Sequence, residues 1–304
     1  MKLDTKFVVT GLLALAFLLP GATKASYGIY PTKSALWPKP GHRPSRAGKY
    51  QVLYYGGPVI SNVRVYAVFW GSSVDADVQH KIGGFYAATV NSTHMDWLSE
   101  YNTDIKAVDG RPGTNQSFGR GSFGREITII PTHTSKNLDD KDIQAEIDLQ
   151  VANNVLPTPD GNTLFMIHFP PSVNITIEGM TSCQNFCAYH YGFKSQTLGN
   201  VFYGVIPDFK TGACSFNCGF SQEAFDSTTI ISSHELLEAM TDPFPTPGSN
   251  PAYPQAWNTT SGDEIGDLCA VSSTPLKVQN MTYLLQKEYS NAAGSCASGP
   301  YQSP

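Results

Sequence analysis

The sequence predicts a mixed α/β or α+β fold, and three observations carry that expectation. Runs of β-branched and aromatic residues interleave with helical patterns, but without the strict alternation of one repeating βαβ series. The clearest helical pattern, "DDKDIQAEIDLQVANNV", sets Ile143, Ile147 and Val151 on one apolar stripe. Six cysteines, an even count in a chain of 304 residues, add disulfide stabilisation to the expected architecture.

Taken in order, the chain opens with a charged start holding Lys2 and Lys6, then an almost unbroken apolar run over residues 7–19 and Thr23-x-Ala25 before Ser26. That pattern reads as a cleavable secretory signal over residues 1–25. The apolar run is shorter than the roughly 20 residues a membrane span needs. Residues 26–50, rich in Pro, Ser and basic side chains, read as an extended leader, and residues 51–304 as one domain. "YQVLYYGGPVI" and "NVRVYAVFW" predict strands parted by Gly56-Gly57-Pro58. Helical spacing follows in "ADVQHKIGGFYAATVNS" and "THMDWLSEY". The Gly-rich "SFGRGSFGR" reads as a turn-rich connection of hairpin type. "REITIIPTH", "NTLFMIHFP" and "NVFYGVIPDF" predict strands, and the cysteine-bearing "MTSCQNFCAYHYGF" between the last two predicts a loop. "TTIISSHELLEAMTDP" predicts a helix stopped by Pro243, and the tail after "SGDEIGDLC" reads as β-rich.

Composition excludes several classes. Charge is sparse, with a formal net of −5 and no basic block, so nucleic-acid binding lacks its electrostatic footprint. No second long apolar run occurs, so no membrane partner is expected once the signal is removed. Secretion into an oxidising compartment makes disulfides of Cys183, Cys187, Cys214, Cys218, Cys269 and Cys296. Short loops close if Cys183 joins Cys187 and Cys214 joins Cys218, leaving Cys269 with Cys296, one of many connectivities that six cysteines allow. A zinc finger fits neither that compartment nor the Cys-x-x-x-Cys spacing.

The chemistry concentrates at "SSHELLEAMTDP". Residues four apart on a helix share a face, so His234 and Glu238 point together while Glu235 sits about 100° away. Two ligands and a neighbouring carboxylate able to take a proton suit a metal-assisted hydrolase. The later "DEIGDLC" supplies Glu264 and Asp267. The same residues also suit an ordinary helix with hydrated carboxylates.

"HELLEAMTD" is similar to the active-site helix of thermolysin-like gluzincins, which reads HELTHAVTD. That resemblance implies a zincin-like mixed sheet with an active-site helix. His234 becomes a metal ligand, Glu235 the general base, Glu264 the downstream ligand, and Asp267 a partner orienting His234. Glu238 replaces the family's second histidine and makes the set more anionic. The cofactor expected is a divalent metal, zinc first, with manganese or calcium favoured by the added carboxylate. A longer, collinear resemblance covers about residues 50–270. "YYGGPVISNVRVYAVFWG", "MDWL", "CAYHYGF", "SSHELLEAMTDP" and "DEIGDLC" occur in the order found in the EXORDIUM/phosphate-induced protein family of secreted, cell-wall-associated plant proteins with microbial relatives. It implies extracellular residence and no established catalytic activity.

Two functions stand as expectations. One is a secreted metallopeptidase acting on extracellular peptides. The other is a non-catalytic EXORDIUM-like binding or signalling protein on cell-wall material, with a structural metal or none. His190, in "CAYHYGF", is a catalytic or metal-binding candidate, or a loop histidine held by the cysteines. His168 and Tyr189, Tyr191 and Tyr203 read mainly as packing residues. No Gly-x-Ser-x-Gly elbow marks a serine hydrolase, and the even cysteine count leaves no thiol for a cysteine protease.

Overall fold

Period-two alternation along the strands builds two apolar faces, and both are covered. The computed structural model describes residues 29–31, 50–245 and 251–298. The expected signal segment, and all of the expected leader except residues 29–31 and 50, lie outside the described residues. The first strands are β1 (Ile29–Pro31), β2 (Leu53–Tyr54), β3 (Arg64–Trp70), β4 (Ser122–Ile129) and β5 (Asn137–Asp139). β6 (Thr163–His168), β7 (Asn174–Ile177), β8 (Met180–Thr181), β9 (Phe186–Ser195) and β10 (Gly199–Ile206) follow. β11 (Trp257–Asn258), β12 (Ser273–Val278), β13 (Met281–Gln286), β14 (Glu288–Ser290) and β15 (Ser295–Ala297) complete the series. The α-helices are α1 (Ala76–Val90), α2 (Asp140–Ala152), α3 (Gly212–Asn217) and α4 (Ala224–Thr241).

The central sheet has the order β1-β9-β10-β6-β3-β4. β10, β6, β3 and β4 run parallel, while β9 is antiparallel to β10 and β1 antiparallel to β9. On one face Val65, Ala67, Leu164, Met166 and Phe202 pack with Ile82 and Phe85 of α1 and Leu236 and Met240 of α4. On the other, Val68, Phe165, Ile167 and Val205 pack against Ile143, Ile147 and Val151 of α2. Helices on both faces of a mostly parallel sheet give a three-layer, mixed α/β architecture. The stripe expected on α2 is the one buried, and its N-terminus carries a reciprocal capping box between Asp139 and Asp142.

Four local expectations change. The segment expected to be a loop, residues 180–193, supplies most of the ten-residue β9, because "FCAYHYGF" is rich enough in aromatic residues to pair along β10. The Gly-rich segment before β4 is not a hairpin. β4 pairs in parallel with β3, and a Cβ on Gly121 would strike the Val63 carbonyl oxygen, so glycine is needed for close approach. The strand expected over residues 50–60 shrinks to β2, because Gly57 lies against the backbone of Pro254 and Gln255. The fourth change concerns cysteine pairing: the bridges are Cys183–Cys214 and Cys187–Cys218, with Cys269–Cys296 as expected. Cys214 and Cys218 stand four apart at α3, so both face the start of β9, and the two bridges staple helix to strand. Residues 96–101, expected helical, form a 3-10 turn, and the tail is β-rich. Three disulfides fit a secreted protein. No described helix is long and apolar enough to cross a membrane.

Candidate metal centre

α4 is unusual in being buried on every side although it carries Thr, Ser, His and Glu; every residue from Ser227 to Thr241 is buried. The sheet covers one side and β13 another, where the Gln286 amide donates to Ser233 Oγ at 2.8 Å. Close approach to the sheet depends on small residues. Ala67, Met166, Gly204 and His190 lie side by side across β3, β6, β10 and β9. A Cβ on Gly204 would come within 2.7 Å of Met166 Sδ and 3.9 Å of Glu235 Cβ. That row ends at His190, so strand alternation delivers its imidazole beneath α4.

Two clusters result. His190 Nδ1 lies 3.2 Å from Glu235 Oε2 and 3.9 Å from Glu238 Oε2, while His190 Nε2 donates to the Asp242 carbonyl at 3.1 Å. On the other side of Glu238, His234 Nε2 lies 2.9 Å from Oε2, and His234 Nδ1 is 2.8 Å from Gln286 Nε2. Glu238 Oε1 accepts from the amides of Gly266 and Asp267, each at 2.9 Å. Ligand atoms of His190, Glu235 and Glu238 lie within 4.8 Å of one another, as do those of His234, Glu238 and Asp267. Glu264 belongs to neither group among the described residues, but its Oε1 is 3.5 Å from His190 Nε2. Its backbone amide donates to Asp267 Oδ2 at 3.0 Å.

Electrostatics show why this arrangement could hold a cation. His190, His234, Glu235, Glu238, Glu264, Glu288 and Asp242 are all 0% exposed, so carboxylates outnumber imidazoles in a dry interior. Among the described residues, neither oxygen of Glu264 has a hydrogen-bond partner, the His190 ring lying 3.5 Å away, nor does Glu288 Oε1. Burial raises Glu235 above its ordinary range, Glu264 well above it, Glu288 to about 8 and Asp242 to about 7. Burial opposes charge on His190, yet Glu264 and the bond to Glu235 outweigh it and hold the imidazole well above its usual value. His234 rises to about 10 because Glu238 outweighs burial in the same way. Without a metal, protons therefore neutralise the excess; binding a cation would release them.

The His190/Glu235/Glu238 group can hold a metal ion, and the donor chemistry fits one. With Nε2–H of His190 engaged by the Asp242 carbonyl, Nδ1 is the nitrogen left for an ion, the arrangement that orients metal-binding histidines. Gly266 is the tightest point: a Cβ there would collide with His234 Nδ1 and come within 2.7 Å of Glu238 Oε1 and 2.8 Å of Glu288 Oε2.

All the site residues expected from sequence, His190, His234, Glu235, Glu238, Glu264 and Asp267, thus gather around α4. Asp267 faces Glu238 and the Glu264 amide. Sequence reasoning missed Asp242, Gln286 and Glu288. Asp242 ends α4, where its carboxylate accepts from Ala256 N at 2.9 Å and Asn258 Nδ2 at 2.5 Å. Gln286 and Glu288 share a face around Lys287, and two polar residues two apart in the apolar "YLLQKEYS" were the available signal. His168 is a core residue, with Tyr86 Oη at 3.1 Å, and burial lowers it to about 3. No protein-family model, curated protein or solved structure matches this chain.

Proposed function

We propose that this protein is a secreted metal-dependent hydrolase acting on peptide bonds, with a divalent ion, zinc or manganese, held by His190, Glu235 and Glu238. The observation that carries the reading is the Glu264 carboxylate, fully buried, without hydrogen-bond partners and 3.5 Å from the His190 ring. Relative to the sequence expectation, His190 takes the ligand place expected of His234, and Glu235 and Glu264 exchange roles: Glu235 lies among ligand atoms, and Glu264 is the carboxylate left to accept a proton. Burial raises the Glu264 carboxyl well above its ordinary value, so it takes up a proton more readily than an exposed carboxylate. A divalent ion, when bound, supplies the charge that polarises a carbonyl and acidifies water. His190 is held in one tautomer by the Asp242 carbonyl, and Glu238 is fixed by two backbone amides.

The complete burial of these groups favours a second reading, a non-catalytic EXORDIUM-like extracellular protein with a structural ion. Metal analysis and a peptidase assay on the mature protein, Glu264→Gln and Glu235→Gln separate the two. The hydrolase reading expects Glu264→Gln to keep its metal and lose about 10²–10⁴-fold in turnover, and Glu235→Gln to lose metal. Bound metal with no turnover in any form selects the structural reading, and absence of bound metal sinks both.

A further inference from the structure

The two ligand groups share one residue, Glu238, and each contributes its own histidine. Glu238 is placed for a double role. Its Oε1 is committed to the amides of Gly266 and Asp267, whereas Oε2 faces both imidazoles, 2.9 Å from His234 Nε2 and 3.9 Å from His190 Nδ1. Each imidazole has its other nitrogen occupied by protein: His190 Nε2 by the Asp242 carbonyl, His234 Nδ1 by Gln286. Both rings therefore turn their remaining nitrogen toward the same carboxylate oxygen from different sides.

Charge points the same way. When ionised, Glu235, Glu238, Asp267 and Glu264 place four negative charges around the two histidines, and the buried Glu288 and Asp242 add two more, a surplus that two divalent cations compensate further than one. Uncompensated charge in a fully buried interior is strongly disfavoured. Glu264 bears on both groups, since its Oε1 lies 3.5 Å from His190 Nε2 while its amide donates to Asp267, and both its oxygens are buried without a hydrogen-bond partner among the described residues.

We propose that the centre takes two divalent cations, one held by His190, Glu235 and Glu238 and the other by His234, Glu238 and Asp267, with Glu238 bridging them. This rests on the metal-binding reading above and extends it. A carboxylate bridge of this kind holds two ions about 3.5–4 Å apart, the spacing of two-ion hydrolytic centres.

The experiment is reconstitution of the mature, disulfide-intact protein with Mn²⁺, followed by metal stoichiometry after desalting and electron paramagnetic resonance. Two equivalents and an exchange-coupled multiline signal are expected. Asp267→Asn should retain one equivalent and give an uncoupled mononuclear signal, because the His190 group is left whole. One equivalent in the unmodified protein, or two without coupling, overturns the shared-carboxylate centre while leaving the single-ion reading intact. No bound Mn²⁺, with none for Zn²⁺ either, overturns both. The wild-type stoichiometry and spectrum decide the matter even if Asp267→Asn fails to fold.

Discussion

Tyr189 and His190 are neighbours on β9, yet they enter opposite worlds. Tyr189 points to the α2 face, where it and Tyr203 each donate to Asp140 Oδ1 at 2.6 Å, and Gln144 Nε2 donates to Asp140 Oδ2 at 2.7 Å. Glu146, on the same helix, is equally well served: Thr132 and His133 donate to Oε2, and Gln150 donates to Oε1 at 2.7 Å. His190 points to the α4 face, where buried carboxylates outnumber donors and Glu264 has no hydrogen-bond partner. Buried carboxylates on both faces are therefore not equivalent. Where neutral donors satisfy every oxygen the carboxylate is part of the scaffold; where acceptors are in surplus the protein is complete only with a cation or protons.

The largest expected effect separates the faces by metal. Stripping divalent ions with a chelator should destabilise the protein by about 4 kcal/mol relative to protein held at 1,000 times the dissociation constant, read as a fall in melting temperature. Protein carrying Asp140→Ala should show the same chelator-induced fall, since that cluster takes no part in the centre. A melting temperature indifferent to chelation would erase the contrast. Next in size, Asp140→Ala itself should cost about 3 kcal/mol in urea titrations, because two buried tyrosine hydroxyls lose their acceptor. Its metal content should stay unchanged, and a variant that loses its ion would show the two faces to be coupled.

A smaller effect appears in acid. Burial pushes Glu146 upward, but the bonds from Gln150, Thr132 and His133 prevail and hold it at about 2, below its ordinary 4.5. A depressed carboxyl stabilises the fold above its unfolded value and loses that contribution as pH falls toward the folded one. Stability should thus drop by about 2 kcal/mol from this group by pH 3. Acid titrations of Glu146→Gln should lack that increment; an unaltered acid limb would remove Glu146 from the account.

Much of the scaffold was legible because its signals are local. The α2 stripe of Ile143, Ile147 and Val151 and the runs that became β3, β6 and β10 each declare themselves within a dozen residues. His234 and Glu238 were legible for the same reason, being one helical turn apart. β9 was not, since cysteines and glycine in "CQNFCAYHYGF" suggest a loop until β10 and β1 are there to pair with it. The crossed bridges and the meeting of Glu288, Gln286 and Asp242 around α4 were equally hidden, because those contacts join residues far apart in sequence.

Gly266 stands at the start of the short 3-10 helix of residues 267–269. Its φ of −78° is one any residue adopts, so the backbone there imposes no demand for glycine. The demand comes from three side chains, His234, Glu238 and Glu288, converging on the space a methyl group would fill. In a library randomised across residues 261–268, position 266 should therefore return glycine alone among clones that retain the ion, whereas solvent-facing Ser261 accepts broad replacement. For anyone re-engineering this loop, the position most silent in chemistry is the one that sets how closely His234, Glu238 and Glu288 can converge.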